Sequence, residues 1–567
     1  MATAKLLGVP NSRHKYDSGL VSCCDSEGAV TFHSNNHGDK KDIHEQTEPI
    51  DSVSSSNSKQ TYGLESWDTN KIFYAWLLVC YSTGPTSAMS KSYVPAVIQS
   101  IAHALGHKKG SNEPCDKRGD NCYVQFGTGE VQYSSYVLYL KAIYTSIEGL
   151  VAIILMGIAD YSNYRKWLMC GSIFLFGCFA IPFVGLTAAT RPVLIIASTL
   201  YSLLLVLDTV YQITEASYIP IFMRARYQKL VKMTADEEET ESEEQVPAGG
   251  KVLKRGATVS ATGLIIGNVG GITALSIGVA ITQTKGTALD IGYHDFLLAI
   301  TVAGCVTTGF SIISAFLIPS LKGKDFDFSG NSNKTLAILT FPMKRFCHIL
   351  TEIYQYKEAF KYVIAWVLWN ISYSNFLSIF GLLFRSTLGV GSSDKEYTVW
   401  QFISYVVGSL GSLFWLLAYS WICGRQADRK NVRSIKRSLY FLLSFGFFAN
   451  FWGALGANSD SVVGFKHRWE FWTFQVLFVS SSSAIRSLNR VVYSSLLPNG
   501  EESQYFGLEI MLGLATGWSE SLVIAVIQDR TGNSRLPFIP NCCLFGVAVL
   551  FYWWTDLEKG MKQVNKI

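Results

Sequence analysis

Long apolar stretches alternate with shorter polar ones from about residue 72 to residue 555. A helix that crosses a bilayer needs about 20 mostly apolar residues, because it spans about 30 Å of hydrocarbon at roughly 1.5 Å per residue. Only helices and closed barrels satisfy their backbone groups in lipid. The pattern therefore predicts an all-α, polytopic membrane protein with about twelve spans, at 72–101, 133–158, 167–187, 192–219, 257–282, 293–319, 360–384, 399–423, 438–457, 469–493, 508–527 and 536–555.

The predicted spans fall into two groups of six, separated by a polar central loop at 320–358. The N-terminal half covers 67–319 and includes an acidic loop at 223–256. The C-terminal half covers 359–567. Residues 1–66 are rich in Ser, Asn and Asp with few large apolar groups, so we expect a disordered tail without a cleaved signal peptide.

Basic residues concentrate in alternate loops, which predicts the orientation. The largest clusters lie at 224–232, 251–255 and 425–437, and all fall on one side if both termini are cytosolic. These loops also explain the net charge of +5. The charged fraction of 16% is low for a soluble domain, where about 25% is usual. We therefore expect the lipid bilayer, and no nucleic acid, as a partner.

Two cysteines, Cys115 and Cys122, lie in the loop after the first span, on the side opposite the termini. A lumen or exterior allows disulfides to persist, so this pair is either a disulfide or two free thiols. Zinc spacings, phosphate loops and hydrolase motifs are missing from the sequence. The sequence therefore predicts no enzyme, no metal and no cofactor.

A short turn recurs after the second span of each half, with an acid at a helix end and bases nearby. Asp160 precedes Arg165 in the first turn, and Asp428 precedes Arg429 in the second. Matching turns suggest the internal duplication found in many secondary transporters. They could form a charge latch, or gate, on the cytosolic side, or could simply mark topology. Arg486, near the end of the tenth span, is a further candidate gate residue through a cytosolic-side ion pair.

Three acids lie at lipid depth in the predicted spans: Glu148, Asp208 and Glu520. Ionisable groups there cost roughly 2.5–3.5 kcal/mol on insertion scales, so each is a functional hypothesis. Each could exchange protons or hold a substrate ammonium group. The alternative is pairing with a neighbouring helix, or a wet cavity without a chemical role.

Polar amides and hydroxyls supply three further candidates. Asn370 and Ser374 are four residues apart and share a helix face, which indicates either interhelical hydrogen bonds or cavity lining. Asn268 lies next to the small residues that form one face of the fifth span, at 260–271. Such faces allow close helix packing, and could also expose backbone carbonyls to a ligand.

Two resemblances to known families extend these predictions. The six-plus-six layout, with Ala159, Asp160 and Lys166 in the first turn, resembles the major facilitator superfamily. The segments Ser494–Leu508 and Gln528–Arg535, with 260–271 earlier, are similar to the fungal vacuole-effluxer family of autophagy-related proteins. This similarity covers nearly the whole chain apart from the N-terminal tail and 227–255.

The second resemblance implies alternating-access export of leucine and other neutral amino acids, released by autophagic breakdown, from the vacuole to the cytosol. It implies a place in the vacuole membrane. The acids at lipid depth make protons a candidate coupling ion. A neutral amino acid is a zwitterion, so its site needs a group for the carboxylate, a group for the ammonium and an apolar pocket. The alternatives are transport of another small solute such as a peptide, and a non-transporting nutrient receptor or scaffold.

Overall fold

The computed structural model describes residues 69–108, 113–115, 122–158, 164–222, 249–284, 294–320, 341–342, 344, 347–348, 351, 355–388, 395–423, 428–458, 461–497 and 502–566. Within these ranges it contains twelve long helices: α1 (Thr69–Ala104), α2 (Tyr133–Ile158), α3 (Tyr164–Ala180), α4 (Arg191–Ala216), α5 (Gly249–Thr284), α6 (His294–Leu317), α7 (Lys357–Leu388), α8 (Lys395–Cys423), α9 (Asp428–Leu455), α10 (Arg468–Ser495), α11 (Glu502–Thr531) and α12 (Phe538–Trp554). A shorter helix, α13 (Leu557–Lys566), follows after a bend of 59°.

Nine helices in the described ranges are long and apolar enough to cross a bilayer, and the bent α12–α13 pair brings the number to ten. The two long helices that fall short, α1 and α10, carry many polar residues. Much of α1 is buried by other helices, with Trp76, Val79 and Tyr93 fully enclosed. A helix that faces protein rather than lipid can tolerate polar side chains, so the twelve-helix layout is compatible with this count.

Helix packing follows the two-half organisation. In the N-terminal half α1 packs on α5 and α6, and α3 packs on α4 and α6. In the C-terminal half α7 packs on α12, and α10 packs on α8 and α9. The halves meet mainly where α2 lies against α11 and where α5 lies against α8. The two halves therefore pack against each other along two separate pairs of helices.

Close contact between α1 and α5 depends on glycine. A Cβ atom at Gly84 would overlap the carbonyl oxygen of Gly267 and lie 2.7 Å from the backbone nitrogen of Gly271. One at Gly263 would overlap the indole ring of Trp76. The small-residue face of the fifth span is therefore a helix-packing face, the first of its two predicted roles.

The connection between α1 and α2 forms a three-stranded antiparallel sheet: β1 (His107–Lys108), β2 (Cys122–Phe126) and β3 (Gly129–Gln132). Cys115 and Cys122, the pair for which the sequence left two states open, are joined by a disulfide bond here. We call this the disulfide end of the bundle, and the opposite end, where α1 begins and α12 ends, the terminal end.

Several helix boundaries differ from the predicted spans. α3 ends at Ala180 and continues as a 3-10 helix to Gly185, because Pro182 removes a backbone donor. α5 begins at Gly249, inside the segment predicted as a loop. α10 runs to Ser495, beyond the basic residues near its end. The tail at 1–66 and most of the predicted loops lie outside the described residues.

Candidate functional site

A cavity of about 250 Å³ lies between the two halves. Helices α2 and α4 of the N-terminal half form one wall, and α7, α10 and α11 of the C-terminal half form the other. The charged residues in its lining are Lys141, Glu148, Asp208, Arg486, Arg490 and Glu509. Apolar lining comes from Leu205, Trp366, Ile371, Phe506, Ile510 and Leu514. The cavity therefore combines both signs of charge with apolar surface.

Asp208, on α4, has its carboxylate occupied by neighbouring groups. Lys91 on α1 places its ammonium nitrogen 3.3 Å from one oxygen, and Gln212 donates to the same oxygen at 2.5 Å. Ser87 and Tyr211 donate to the other oxygen, the first at 3.4 Å. Four partners of this kind fix the orientation of the carboxylate. Asp208 is thus the anchor of a hydrogen-bonded network in the N-terminal half.

Glu148 and Glu509 are the other two acids of the lining, one in each half. Each is 5% exposed, and the described residues offer no basic nitrogen within 4.0 Å of either. Glu148 lies on α2, and Glu509 lies on α11, which packs against α2. These two acids therefore lie in the lining without an ion-pair partner among the described residues.

Lys141 connects the halves across the cavity. Its ammonium nitrogen on α2 donates to the hydroxyl of Ser374 on α7 at 2.9 Å. Asn370 lies one turn before Ser374 and also lines the cavity. Asn370 and Ser374 therefore line the cavity, and Ser374 also takes part in an interhelical hydrogen bond, so the two alternatives that the sequence left open occur together.

Two arginines approach the cavity from α10. The guanidinium of Arg486 lies over the ring of Tyr373, 4.9 Å from its centroid. Arg490 reaches toward the N-terminal half, and its terminal nitrogen lies 3.8 Å from a carboxylate oxygen of Glu215. Arg486 thus lines the cavity, and Arg490, one turn later, forms an ion pair with the other half.

Asn268 and Arg165, two further candidates from the sequence, do not line the cavity. Asn268 lies beside α8. A Cβ atom added at Gly408 of that helix would lie 3.6 Å from the amide nitrogen of Asn268. Arg165 is buried, and its guanidinium lies 5.9 Å from the ring centroid of Tyr218. The side chain of Glu520 lies outside the described residues.

The proposed charge latch also falls largely outside the described part of the chain. Asp160 is not described, and of Asp428 and Arg429 only the helical backbone is described. The latch therefore stays a prediction.

Three charged residues at or beside the cavity were not among the candidates from the sequence: Glu509, Arg490 and Lys91. The eleventh span was predicted to begin at 508, which placed Glu509 at its edge, whereas α11 begins at Glu502. Arg490 lies near the end of α10, where basic residues are usual, so only the packing distinguishes it from a topology marker. Lys91 lies in the interior of α1 and inside the span predicted at 72–101, where an ionisable residue is itself a signal of function.

The described residues contain no group of three or more His, Cys, Asp and Glu side chains that could hold a metal ion. The cavity instead contains separated charges on opposite walls, an arrangement that suits a solute with charges of its own.

Comparison with solved structures identifies the fold. The proton:xylose symporter XylE matches with a TM-score of 0.54 at 11% identity, over 86% of this chain and 96% of that one. The human organic anion transporter MFSD10 matches with a TM-score of 0.51 at 10% identity, over 85% and 99% of the two chains. At such low identity the likeness shows the fold alone, which is the major facilitator fold.

Comparison with related sequences identifies the family to which the chain belongs. Autophagy-related protein 22 of Candida albicans is 48% identical over 535 residues, which are 94% of this chain and 98% of the relative. An uncharacterized transporter of the major facilitator type from Bacillus subtilis, YxiO, is 23% identical over 78% of this chain and 89% of its own. The model of the family described as "Vacuole effluxer Atg22 like" matches residues 68–565. The chain belongs to the Atg22-like vacuole effluxer family, and its fold is that of the major facilitator superfamily.

Proposed function

We propose that this protein exports leucine and other neutral amino acids from the vacuole to the cytosol by alternating access of its two halves. The observation that carries the proposal is the cavity between the halves, which combines acids, bases and apolar side chains within about 250 Å³. Drug-sized ligands occupy pockets of about 300–1,000 Å³, so this volume suits a smaller solute. A single amino acid fits that description better than a peptide does.

The charges of the lining match a zwitterion. An ammonium group needs an acid that is not already neutralised, and a carboxylate needs a cation or amide donors. Leu205 on one wall and Phe506 on the other supply apolar surface for an aliphatic side chain. Burial of such a side chain contributes about 25 cal/mol per Å² of apolar area. The site is therefore suited to amino acids with apolar side chains.

Glu148 is the better candidate for the ammonium group. The sequence placed Glu148 and Asp208 on equal terms, but Asp208 already accepts from Ser87, Tyr211 and Gln212. A substrate would have to displace these partners, whereas Glu148 has no ion pair to break among the described residues. We assign Asp208 to the support of the site and Glu148 to contact with substrate.

The orientation that accompanies this function has the terminal end in the cytosol and the disulfide end in the vacuole lumen. The basic loops support it through the positive-inside rule. The disulfide supports it because the cytosol keeps thiols reduced. In this orientation the Glu215–Arg490 pair belongs to the cytosolic side of the cavity.

The test is efflux of radiolabelled leucine from preloaded vacuole vesicles that contain the wild-type protein, no protein, or Glu148→Gln. We expect faster efflux with the wild type than without protein, and loss of most of that increment in the variant. Equal efflux with and without the folded protein would contradict leucine export. It would favour another solute or the receptor alternative, and loading with other solutes would then separate those two.

A further inference from the structure

The guanidinium of Arg486 is positioned to bind an anion. It lies in the wall of the cavity, over the ring of Tyr373 at 4.9 Å from the ring centroid. The described residues place no carboxylate oxygen within 4.0 Å of it. A cation over an aromatic ring keeps its N–H donors for other partners. Arg486 thus has guanidinium donors that no carboxylate of the described residues occupies.

A second donor in the same wall lacks an acceptor. Asn375 lines the cavity and is 2% exposed, and its amide nitrogen has no hydrogen-bond partner among the described residues. A buried donor left in this state costs about 1–3 kcal/mol. A ligand that carries an acceptor would satisfy it. Asn375 on α7 and Arg486 on α10 therefore place two sets of donors in the C-terminal wall of the cavity, and a carboxylate can accept from both.

The other cations of the cavity are already engaged. Arg490 pairs with Glu215, and Lys141 donates to Ser374. Bidentate binding of a carboxylate also requires the fork of an arginine, which a lysine does not offer. Arg486 is therefore the cation that best suits an incoming carboxylate.

We propose that Arg486 and Asn375, both in the C-terminal half, bind the carboxylate of the transported amino acid, opposite Glu148 in the N-terminal half. This inference rests on the proposed function, because it takes an amino acid as the substrate. It adds that the substrate bridges the two halves, with its ammonium on one wall and its carboxylate on the other. A solute with only one of these charges engages only one half.

The test compares leucine with leucinamide, which keeps the ammonium and the side chain but has no carboxylate. Each is added unlabelled, at increasing concentration, to vesicles that transport radiolabelled leucine. In the wild type we expect leucine to compete at least about tenfold better than leucinamide, as the loss of charged hydrogen bonds implies. In Arg486→Gln this preference for leucine should disappear.

Asn375→Asp provides a second variant of nearly the same shape. A carboxylate at this position repels the substrate carboxylate, so competition by leucine should weaken by about tenfold or more while competition by leucinamide improves. A purely structural role for Asn375 would change both compounds in the same direction. Arg437→Gln, at an exposed arginine of α9, is the matched control and should keep the wild-type preference.

The outcomes separate this inference from the proposed function. If the wild-type protein does not transport leucine at all, the proposed function is wrong, and the carboxylate site for leucine is wrong with it. If it transports leucine but leucinamide competes equally well, the carboxylate site is wrong while export stands. A wild-type preference that persists in both Arg486→Gln and Asn375→Asp would also overturn the assignment, because the carboxylate would then be bound elsewhere.

Discussion

Glu215 on α4 and Arg490 on α10 form an ion pair across the interface of the two halves, with oxygen and nitrogen 3.8 Å apart. Their side chains are 10% and 13% exposed. Nearby, the hydroxyl of Ser260 on α5 donates to the carbonyl of Ser487 on α10 at 3.3 Å. One helix of the C-terminal half is therefore held to two helices of the N-terminal half. Movement of the halves apart at this point must break both contacts.

Removal of one partner of this pair should destabilise the protein. We expect Arg490→Gln to lower thermal stability more than Glu215→Gln does. The first leaves Glu215 buried without its cation, at a cost of about 3–5 kcal/mol, whereas the second leaves Arg490 in a cavity that also contains Glu509. Thermal unfolding of the purified variants measures the order.

The double variant serves as the control. If the two residues interact, Glu215→Gln with Arg490→Gln should be less destabilised than the sum of the single variants. Strictly additive losses would mean that the two residues are not energetically coupled, and the pair would then not hold the halves together.

Asp208 and Glu148 should respond differently to neutral isosteres. Asp208→Asn places an amide among the donors of Tyr211 and Gln212, so we expect lower yield and lower thermal stability. Glu148→Gln should fold normally and lose leucine efflux. Efflux divided by the amount of folded protein, with a melting curve for each variant, separates the two effects. Normal stability of Asp208→Asn would argue against its supporting role.

The glycine contact between α1 and α5 offers a prediction about packing. Gly84→Ala should cost about 1–3 kcal/mol, because the new methyl group meets the backbone of Gly267 and Gly271, which cannot move aside as a flexible side chain would. Gly381→Ala is the matched control in α7, where a Cβ atom has open space. We expect it to be neutral or slightly stabilising. The melting temperatures of the two variants test this prediction, and equal melting temperatures would contradict it.

Thiol labelling can test the orientation. On intact vacuoles, whose cytosolic face is outward, a membrane-impermeant maleimide should modify Cys347, which is exposed and precedes α7. It should not modify Cys115 or Cys122, even after treatment with an impermeant reductant, because they lie at the disulfide end. Peptide mapping by mass spectrometry identifies the labelled cysteines. Modification of Cys115 or Cys122 in intact vacuoles would reverse the assigned orientation.

The sequence was sufficient for the helical membrane fold because hydrophobic length is a local property. Each stretch near 20 apolar residues implies a helix on its own, and the grouping in two sets of six follows from the order of the stretches. The family was recognisable for a similar reason, since its motifs, such as Ser494–Leu508, are continuous in the chain. Five of the candidate residues, Glu148, Asp208, Asn370, Ser374 and Arg486, do line one cavity. Polar groups at lipid depth are rare enough that each one stands out.

Only the tertiary structure showed which of these residues are engaged by neighbouring side chains and which are not. Asp208 and Glu148 look alike in sequence, and the packing of α1, which brings Lys91 and Ser87 to Asp208, shows which of the two is already engaged. Asn268 looked like a ligand group, but the rotation of α5 turns it toward α8. Glu509 and Arg490 became visible only when the helix boundaries and the contact between the halves were known. The physical reason is that burial and pairing depend on residues distant in the chain, which no local pattern records.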